Sequence, residues 1–526
     1  MVSCVAGCGV RWTRFDSIKT QKECNEGMMS KTRKVRLYKS GNMFFLDPTT
    51  DEIFELLRPL LTFETKMRHH GWQAAQRKRS GLSVEERKQH AMFELDQYQR
   101  FVAMFGYWKL VRDALRAAGY QVICKDTRPI DPKKLKPYWE NLDDIQFRDN
   151  QKEMLDILLK HPCGRIDCAP GFGKTFSIGC FARLLPRARI DIVSKRASVI
   201  RDRIYPELVG MVGDVGIVGA GKRLTGKRVM CYTVDSAHHA TGDADFLFGD
   251  ECHELASDDA ASQLVKWQNS RNFGLSASND MRWDGKDFRL HGLFGPIIFA
   301  VNYQAAQQAN MVVPLKVLWS SVSMDYNPCR NLSDVDKKRQ GFWTNDFRNQ
   351  QIAADAKKYD DDTQVLIVVE TLEHAMNLKR LLPDFTLVYR ENGLTPIRLR
   401  EFVAAGLCKS SEPMMDIDRR MQLTQAFEKG KLKKVIATTV WNVGVSFNNL
   451  SVLIRADGGS SSIADVQIPG RVSRISDGKP FGVIHDYLDQ FDSGYKQRAT
   501  KRSRNYKSNG WEQVFPPSTA MNTFLE

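Results

Sequence analysis

Three short clusters in the 526-residue chain carry residue types that act on a nucleoside triphosphate. The first is Cys168-Ala169-Pro170-Gly171-Phe172-Gly173-Lys174-Thr175, after the run Gly164–Asp167 and before the helix-like Phe176–Leu185. A strand that ends in a glycine-rich turn and opens a helix aims backbone N–H groups and a positive dipole at one spot, where phosphate is cradled. Gly171 and Gly173 let the backbone approach where a Cβ would collide, Lys174 is placed to reach the β and γ phosphates, and Thr175 to ligate Mg²⁺. Cys168 stands where the GxxxxGK[ST] pattern has its first glycine, so the pattern alone is imperfect.

The second cluster, Asp250-Glu251-Cys252-His253, closes the apolar run Phe246–Gly249. Paired carboxylates at a strand end suit hydrolysis of ATP: Asp250 holds Mg²⁺ through water, and Glu251 orients and deprotonates the attacking water. Downstream, Phe273-Gly274-Leu275-Ser276-Ala277-Ser278 puts small hydroxyls at another strand end, where Ser276 and Ser278 can bond His253 and relay the state of the γ phosphate. The third cluster is Gln467-Ile468-Pro469-Gly470-Arg471-Val472-Ser473-Arg474, whose arginines three apart are expected on one face of a short helix. A guanidinium closing on the γ phosphate neutralises transition-state charge. Each cluster also has a bland reading: a tight turn, a solvated acidic loop, a basic helix facing solvent.

The elements that must position these residues alternate strand and helix. Arg165–Asp167, Ile190–Val193, Val229–Tyr232, Ala244–Phe248 and Asn272–Leu275 predict one parallel sheet. Gln364–Val369, Phe385–Val388, Lys434–Ala437, Val452–Arg455 and Gly482–His485 predict a second, with ligands at the carboxyl ends of the strands. Ahead of them, strands Lys34–Tyr38 and Asn42–Leu46, a helix over Thr50–Arg58, a helix over Tyr107–Gly119 and a strand Tyr120–Cys124 predict a small α+β module. Within it, Lys66–Arg100 is dense in cations, including Arg77, Lys78 and Arg79, and reads either as a solvated charged loop and helix or as a phosphate-contacting surface. The expected boundaries are a variable leader to 32, the module at 33–126, a linker at 127–143, lobes at 144–312 and 313–490, and a basic tail at 491–526. The tail reads equally as a disordered end or a strand-guiding arm, and Glu391–Pro413 as a surface insertion or a wedge.

A formal charge of +15 and a pI near 9.2 point to a polyanionic partner, most simply nucleic acid. The eleven cysteines are an odd, scattered set and read as reduced thiols of a cytoplasmic protein. Cys4, Cys8 and Cys24 lack a fourth ligand at zinc spacing. No run of about 18 apolar residues exists, so no transmembrane helix and no membrane partner are expected.

In this order and spacing, CAPGFGKT, DECH, SAS and QIPGRVSR resemble the superfamily 2 helicases and translocases over Phe147 to Asp489. Within them, DECH, Phe273–Ser278 with Asp284-Gly285-Lys286, and Gly444-Val445-Ser446-Phe447-Asn448-Asn449-Leu450 resemble the UvsW-type helicases of T4-like phages. The resemblance implies two RecA-like lobes with ATP and Mg²⁺ between them, an adenine-reading segment with Arg148 and Gln151, and nucleic-acid contacts at Thr233, Thr438 and Thr439. It places Phe172 and Gly444 at the nucleotide and gives Gln467 a coupling role. It further implies an ATP-driven enzyme that tracks on duplex or branched DNA and unwinds or branch-migrates forks, D-loops and Holliday junctions in recombination, repair or replication restart; a monomer is expected. Ser194-Lys195-Arg196 departs from the pattern, since relatives often carry Pro-Thr there. An RNA helicase, an idle scaffold on the same fold and the motor of a restriction system are the rival readings.

Overall fold

The structure is a computed structural model that describes residues 33–69, 73, 76–77, 79–126, 131–277, 285–441, 447–460, 465 and 467–517. Cys4, Cys8, Cys24, Lys78, Ser278 and Gly444 lie outside the described residues. The chain divides into two compact units. The described residues up to Ile145, with Glu153–Asp167 and Thr175–Ala300, form the first, and Gln146–Lys152, Cys168–Lys174 and those from Val301 onward form the second.

The first unit opens with strands β1 (Lys34–Ser40) and β2 (Met43–Asp47), antiparallel about Gly41 with its φ of 60°. Alternation buries Val35 and Leu37 from β1 and Phe44 and Leu46 from β2. The helix Asp51–Leu57 follows because Thr50 caps it, its hydroxyl accepting from the Ile53 amide, and Ile53 and Leu57 turn inward. The charged stretch expected as loop and helix is instead largely strand: β3 (Thr62–Arg68) pairs antiparallel with β4 (Glu85–Ala91), followed by β5 (Phe93–Leu95). Phe63 and Thr65 turn inward from β3 while Glu64 and Lys66 face out, and opposite charges meet across the hairpin, as in Arg87 to Glu64 at 3.4 Å. With β6 (Phe101–Met104) and β7 (Gln121–Asp126), a five-stranded sheet runs β5-β6-β2-β1-β7.

This module does not stand apart from the first parallel sheet but shares its core. Phe63 stacks on Tyr107 and Phe288 with centroids 5.7 and 5.0 Å apart, and the Tyr107 hydroxyl donates to the Phe288 carbonyl. The sheet itself comprises β8 (Cys163–Cys168), β9 (Ile190–Ser194), β10 (Val215–Gly219), β11 (Lys222–Leu224), β12 (Val229–Thr233), β13 (Phe246–Asp250), β14 (Arg271–Ser276) and β15 (Ile297–Val301). They lie in the order β11-β10-β12-β9-β13-β14-β8-β15, and the pairs from β10 to β8 are parallel. Strands buried on both faces explain the near-continuous apolar text of β9, β12 and β13.

The second unit is a seven-stranded parallel sheet built from β16 (Leu315–Val322), β17 (Val365–Val368), β18 (Thr386–Val388), β19 (Lys434–Ala437), β20 (Val452–Arg455), β21 (Gly482–Asp489) and β22 (Glu512–Val514). Its order is β18-β19-β17-β20-β21-β16-β22. Glu391–Pro413 contains a helix, Pro396–Ala404, and is tied down where the Tyr389 hydroxyl donates to the Pro413 carbonyl at 3.0 Å. The basic stretch Tyr495–Lys507 is not a disordered end. Ser493–Ser508 is a helix whose Tyr495, Ala499, Arg502 and Tyr506 are buried, and β22 then extends the sheet. That buried stripe recurs at helical spacing but hides among cations, so composition masked it. Among the described residues, no helix is long and apolar enough to cross a membrane.

Asp191 on β9 is buried in the first sheet, and its carboxylate accepts from the Trp267 indole at 2.7 Å. Burial outweighs that bond and raises its pKa to about 6. Because the folded value lies above the unfolded one, the group favours folding at low pH, and that contribution is lost as pH rises through 6. At pH 8 the ionised carboxylate costs on the order of 3 kcal/mol. Asp191→Asn retains an oxygen for Trp267, so thermal melts should show a higher midpoint than wild type at pH 8 and little difference at pH 4.5. Equal shifts at both values would rule this account out.

Candidate active site

β8 ends at Cys168, and the loop after it turns through Gly171 and Gly173 at φ of 92° and 90°, a region in which a side chain is strained. The helix Lys174–Leu184 starts at once, so its first amides face the loop, and Lys174 and Thr175 are both buried. Cys168 is still in the strand with ordinary backbone, so the missing first glycine costs nothing. The segment before the helix Gln151–Lys160 braces this loop. Gln151, buried, donates from Nε2 to the Phe172 carbonyl at 2.8 Å and accepts from the Arg148 amide at 2.9 Å. Exposed Arg148 donates to the Gly171 carbonyl at 3.3 Å.

Asp250 is the last residue of β13, buried, two strands from β8 in the sheet order. Glu251 then adopts φ 45° and ψ 52°, a left-handed conformation that non-glycine residues rarely hold and that clusters at functional sites. His253, buried in the tight turn Cys252–Ala256, has Nδ1 2.8 Å from Ser276 Oγ at the end of β14 and 3.5 Å from Glu251 Oε2. One further contact was invisible in the sequence: Arg196 grips Glu254 of the same turn with bonds of 2.9 and 3.0 Å. The residues are 58 apart in the chain and no spacing rule joins them.

In the second unit, Arg471 is buried in the three-residue turn Pro469–Arg471, and half-buried Arg474 lies beyond its end. The turn stops at Arg471, so the short helix expected to carry both arginines on one face does not form. Gln467 is half-buried just ahead of it. Gly470 approaches Pro170 of the phosphate loop so closely that a Cβ would lie 2.6 Å from the proline Cγ. Thr438 is buried at the end of β19 and Thr439 is exposed.

The candidate nucleic-acid contacts fare unevenly. Thr233 is buried and its hydroxyl donates to Ser236 at 3.0 Å. Arg77 is spent within its own hairpin, on the Ser83 carbonyl at 2.8 Å and on Glu86 at 3.2 Å, whereas Arg79 is exposed.

Comparison with known proteins finds helicases. The family description "Helicase conserved C-terminal domain" matches residues 349–476. A putative helicase of a Sulfolobus islandicus filamentous virus is 25% identical over 271 residues, 49% of this chain and 45% of the relative. The ATP-dependent DNA helicase uvsW of phage T4 is 23% identical over 274 residues, 49% of this chain and 48% of the relative. Residues 349–476 thus carry a helicase C-terminal domain, and both relatives are helicases by name. The chain spans about half the length of these two relatives. Among solved structures, a fragment of a putative HsdR subunit of a type I restriction enzyme from Vibrio vulnificus superposes with a TM-score of 0.51 at 16% identity. The match covers 73% of this chain and 70% of that one, and shares the tandem α/β fold.

Removing the Gln151 amide leaves the Phe172 carbonyl without its donor and frees the loop. We expect Gln151→Ala to weaken ATP binding about tenfold, read by titration with a fluorescent nucleotide, while circular dichroism stays native. Unchanged affinity would show that the brace does not hold the loop in its binding conformation.

Proposed function

We propose that the chain is an ATP-driven motor on DNA, which tracks on duplex or branched DNA and unwinds or branch-migrates forks, D-loops and Holliday junctions. The observation that carries this reading is the contact series Glu251–His253–Ser276, which joins the carboxylate set to act on water to the end of a neighbouring strand. An idle scaffold has no need of a glutamate held in a left-handed conformation at the end of an apolar strand.

In this mechanism the loop amides and Lys174 bind the β and γ phosphates, and Arg148 and Gln151 form the adenine end of the site. Thr175 and Asp250 offer hard oxygen donors that fit Mg²⁺ and would hold it. The bound ion supplies neutralising charge to the phosphates. Glu251 orients the water and takes its proton, and Arg471, with Arg474 behind it, meets the charge that develops on the transferred group. His253 and Ser276 pass the change at the γ phosphate to the backbone after β14. Thr438, Thr439 and exposed Arg79 contact the polymer backbone, helped by the overall charge of +15. We assign the lobes to residues 144–312 and 313–490 and the preceding module to 33–126. DNA rather than RNA is favoured by the T4 relative, a DNA helicase by name, and by Gln467 opening the arginine motif.

The test is steady-state ATP hydrolysis by wild type and Glu251→Gln with no polymer, single-stranded DNA, duplex DNA, a four-way junction or RNA. Strong stimulation by duplex or branched DNA, reduced about 100-fold or more in the variant, is the expected result. Stimulation by RNA alone would replace DNA with RNA in this reading, and no hydrolysis under any condition would end it.

A further inference from the structure

The second unit buries an unusual concentration of charge that no step above uses. Arg455 closes β20 with its guanidinium on Asp457 at 2.9 and 3.1 Å, on Asp465 at 2.7 Å and on the Tyr506 hydroxyl at 3.0 Å. Arg502 forks onto Asp486 with bonds of 2.8 to 3.1 Å, and the Tyr506 hydroxyl donates to the same carboxylate at 2.7 Å. Arg455, Asp465, Asp486, Arg502 and Tyr506 are all fully buried or within 1% of it. Charges so deeply buried are poor stabilisers compared with apolar packing, because desolvation consumes most of the attraction. What such a network does well is fix geometry.

The geometry it fixes is that of the arginine-bearing segment. One face of the helix Ser493–Ser508 meets the chain between β20 and that segment three times. Lys501 reaches the Ser460 carbonyl at 3.4 Å, Arg502 the Gly459 carbonyl at 3.1 Å, and the Asn505 amide the Asp465 carboxylate at 2.8 Å. Asp465 lies two residues before Gln467 and six before Arg471. The far end of the segment is pinned as well, because Lys479 donates to the Arg474 carbonyl at 2.9 Å and to the Leu450 carbonyl at 2.6 Å.

We propose that the helix Ser493–Ser508 positions Arg471 for ATP hydrolysis, acting through Asn505, Asp465 and Arg455. Asn505, Asp465 and Arg455 are positioning residues that touch no nucleotide themselves. The proposal rests on the reading of Arg471 as the group that meets transition-state charge. A misplaced guanidinium slows the chemical step and leaves ground-state nucleotide binding largely intact, because binding rests on the phosphate loop.

Asn505 is the probe, since it is only half-buried and its loss leaves the Arg455 and Arg502 pairs standing. Asn505→Ala should lower kcat for DNA-stimulated ATP hydrolysis about tenfold, with KM for ATP and the thermal midpoint nearly unchanged. Asn505→Asp has the same shape but presents an acceptor to Asp465 in place of a donor, so it should lose at least as much, whereas a residue that merely fills space would tolerate it. Arg471→Ala run beside them separates the two claims. If Arg471→Ala keeps wild-type kcat, the reading of Arg471 fails and this proposal falls with it. If Arg471→Ala is inactive while both Asn505 variants turn over like wild type, the positioning role alone is overturned. A kcat that falls only as the thermal midpoint falls, and recovers at lower temperature, likewise overturns it in favour of plain stabilisation.

Discussion

The register of three parallel strands is the constraint on which the rest of the first unit depends. β13, β14 and β8 pair so that Asp250 is level with Leu275, and Leu275 with Ile166, while Ser276 is level with Asp167. The three strands therefore end within two residues of one another: β13 at Asp250, level with Ile166, β14 at Ser276, level with Asp167, and β8 at Cys168. A one-residue slip would invert every side chain and dismantle the arrangement. The Glu251–His253–Ser276 contacts exist because that register exists.

The two units hold their reactive residues by different physics. In the first, apolar packing runs unbroken from the small module through Phe63, Tyr107 and Phe288 into the sheet, and the functional side chains project from a rigid edge. In the second, the carboxyl ends of β20 and β21 are finished by buried guanidinium–carboxylate pairs, among them Arg348 to Asp489 at 2.8 Å. Directional bonds of this kind specify one position for the segments they touch, which apolar contacts alone do far less sharply. In the proposed mechanism the turn that carries Arg471 benefits from that sharpness, since small displacements there cost large factors in rate.

Positive charge is abundant on the chain, but much of it is already committed. Arg77, Arg87 and Arg100 pair with Glu86, Glu64 and Asp96, and Arg196 with Glu254. Net charge thus identifies the kind of partner, whereas the number of cations that face it depends on which are neutralised locally.

The sequence by itself determined most strands of the two parallel sheets and the candidate residues at their ends. Loop glycines, a lysine before a threonine, paired acids after an apolar run and two arginines after Pro-Gly are local patterns, and the strands predicted at 190–193, 434–437 and 452–455 are found within a residue of those bounds. Local patterns survive because turn geometry and strand alternation are set by neighbouring residues. Only the tertiary structure decided that Lys66–Arg100 pairs largely as strands, that the turn with Arg471 stops before Arg474, and that Ser493–Ser508 is a helix with one buried face. It also decided that Gln151 braces the phosphate loop and that Arg196 holds the acidic turn. Each of these depends on partners 20 to 60 residues away or on which face of a cationic segment is hidden, and neither spacing nor composition carries that information.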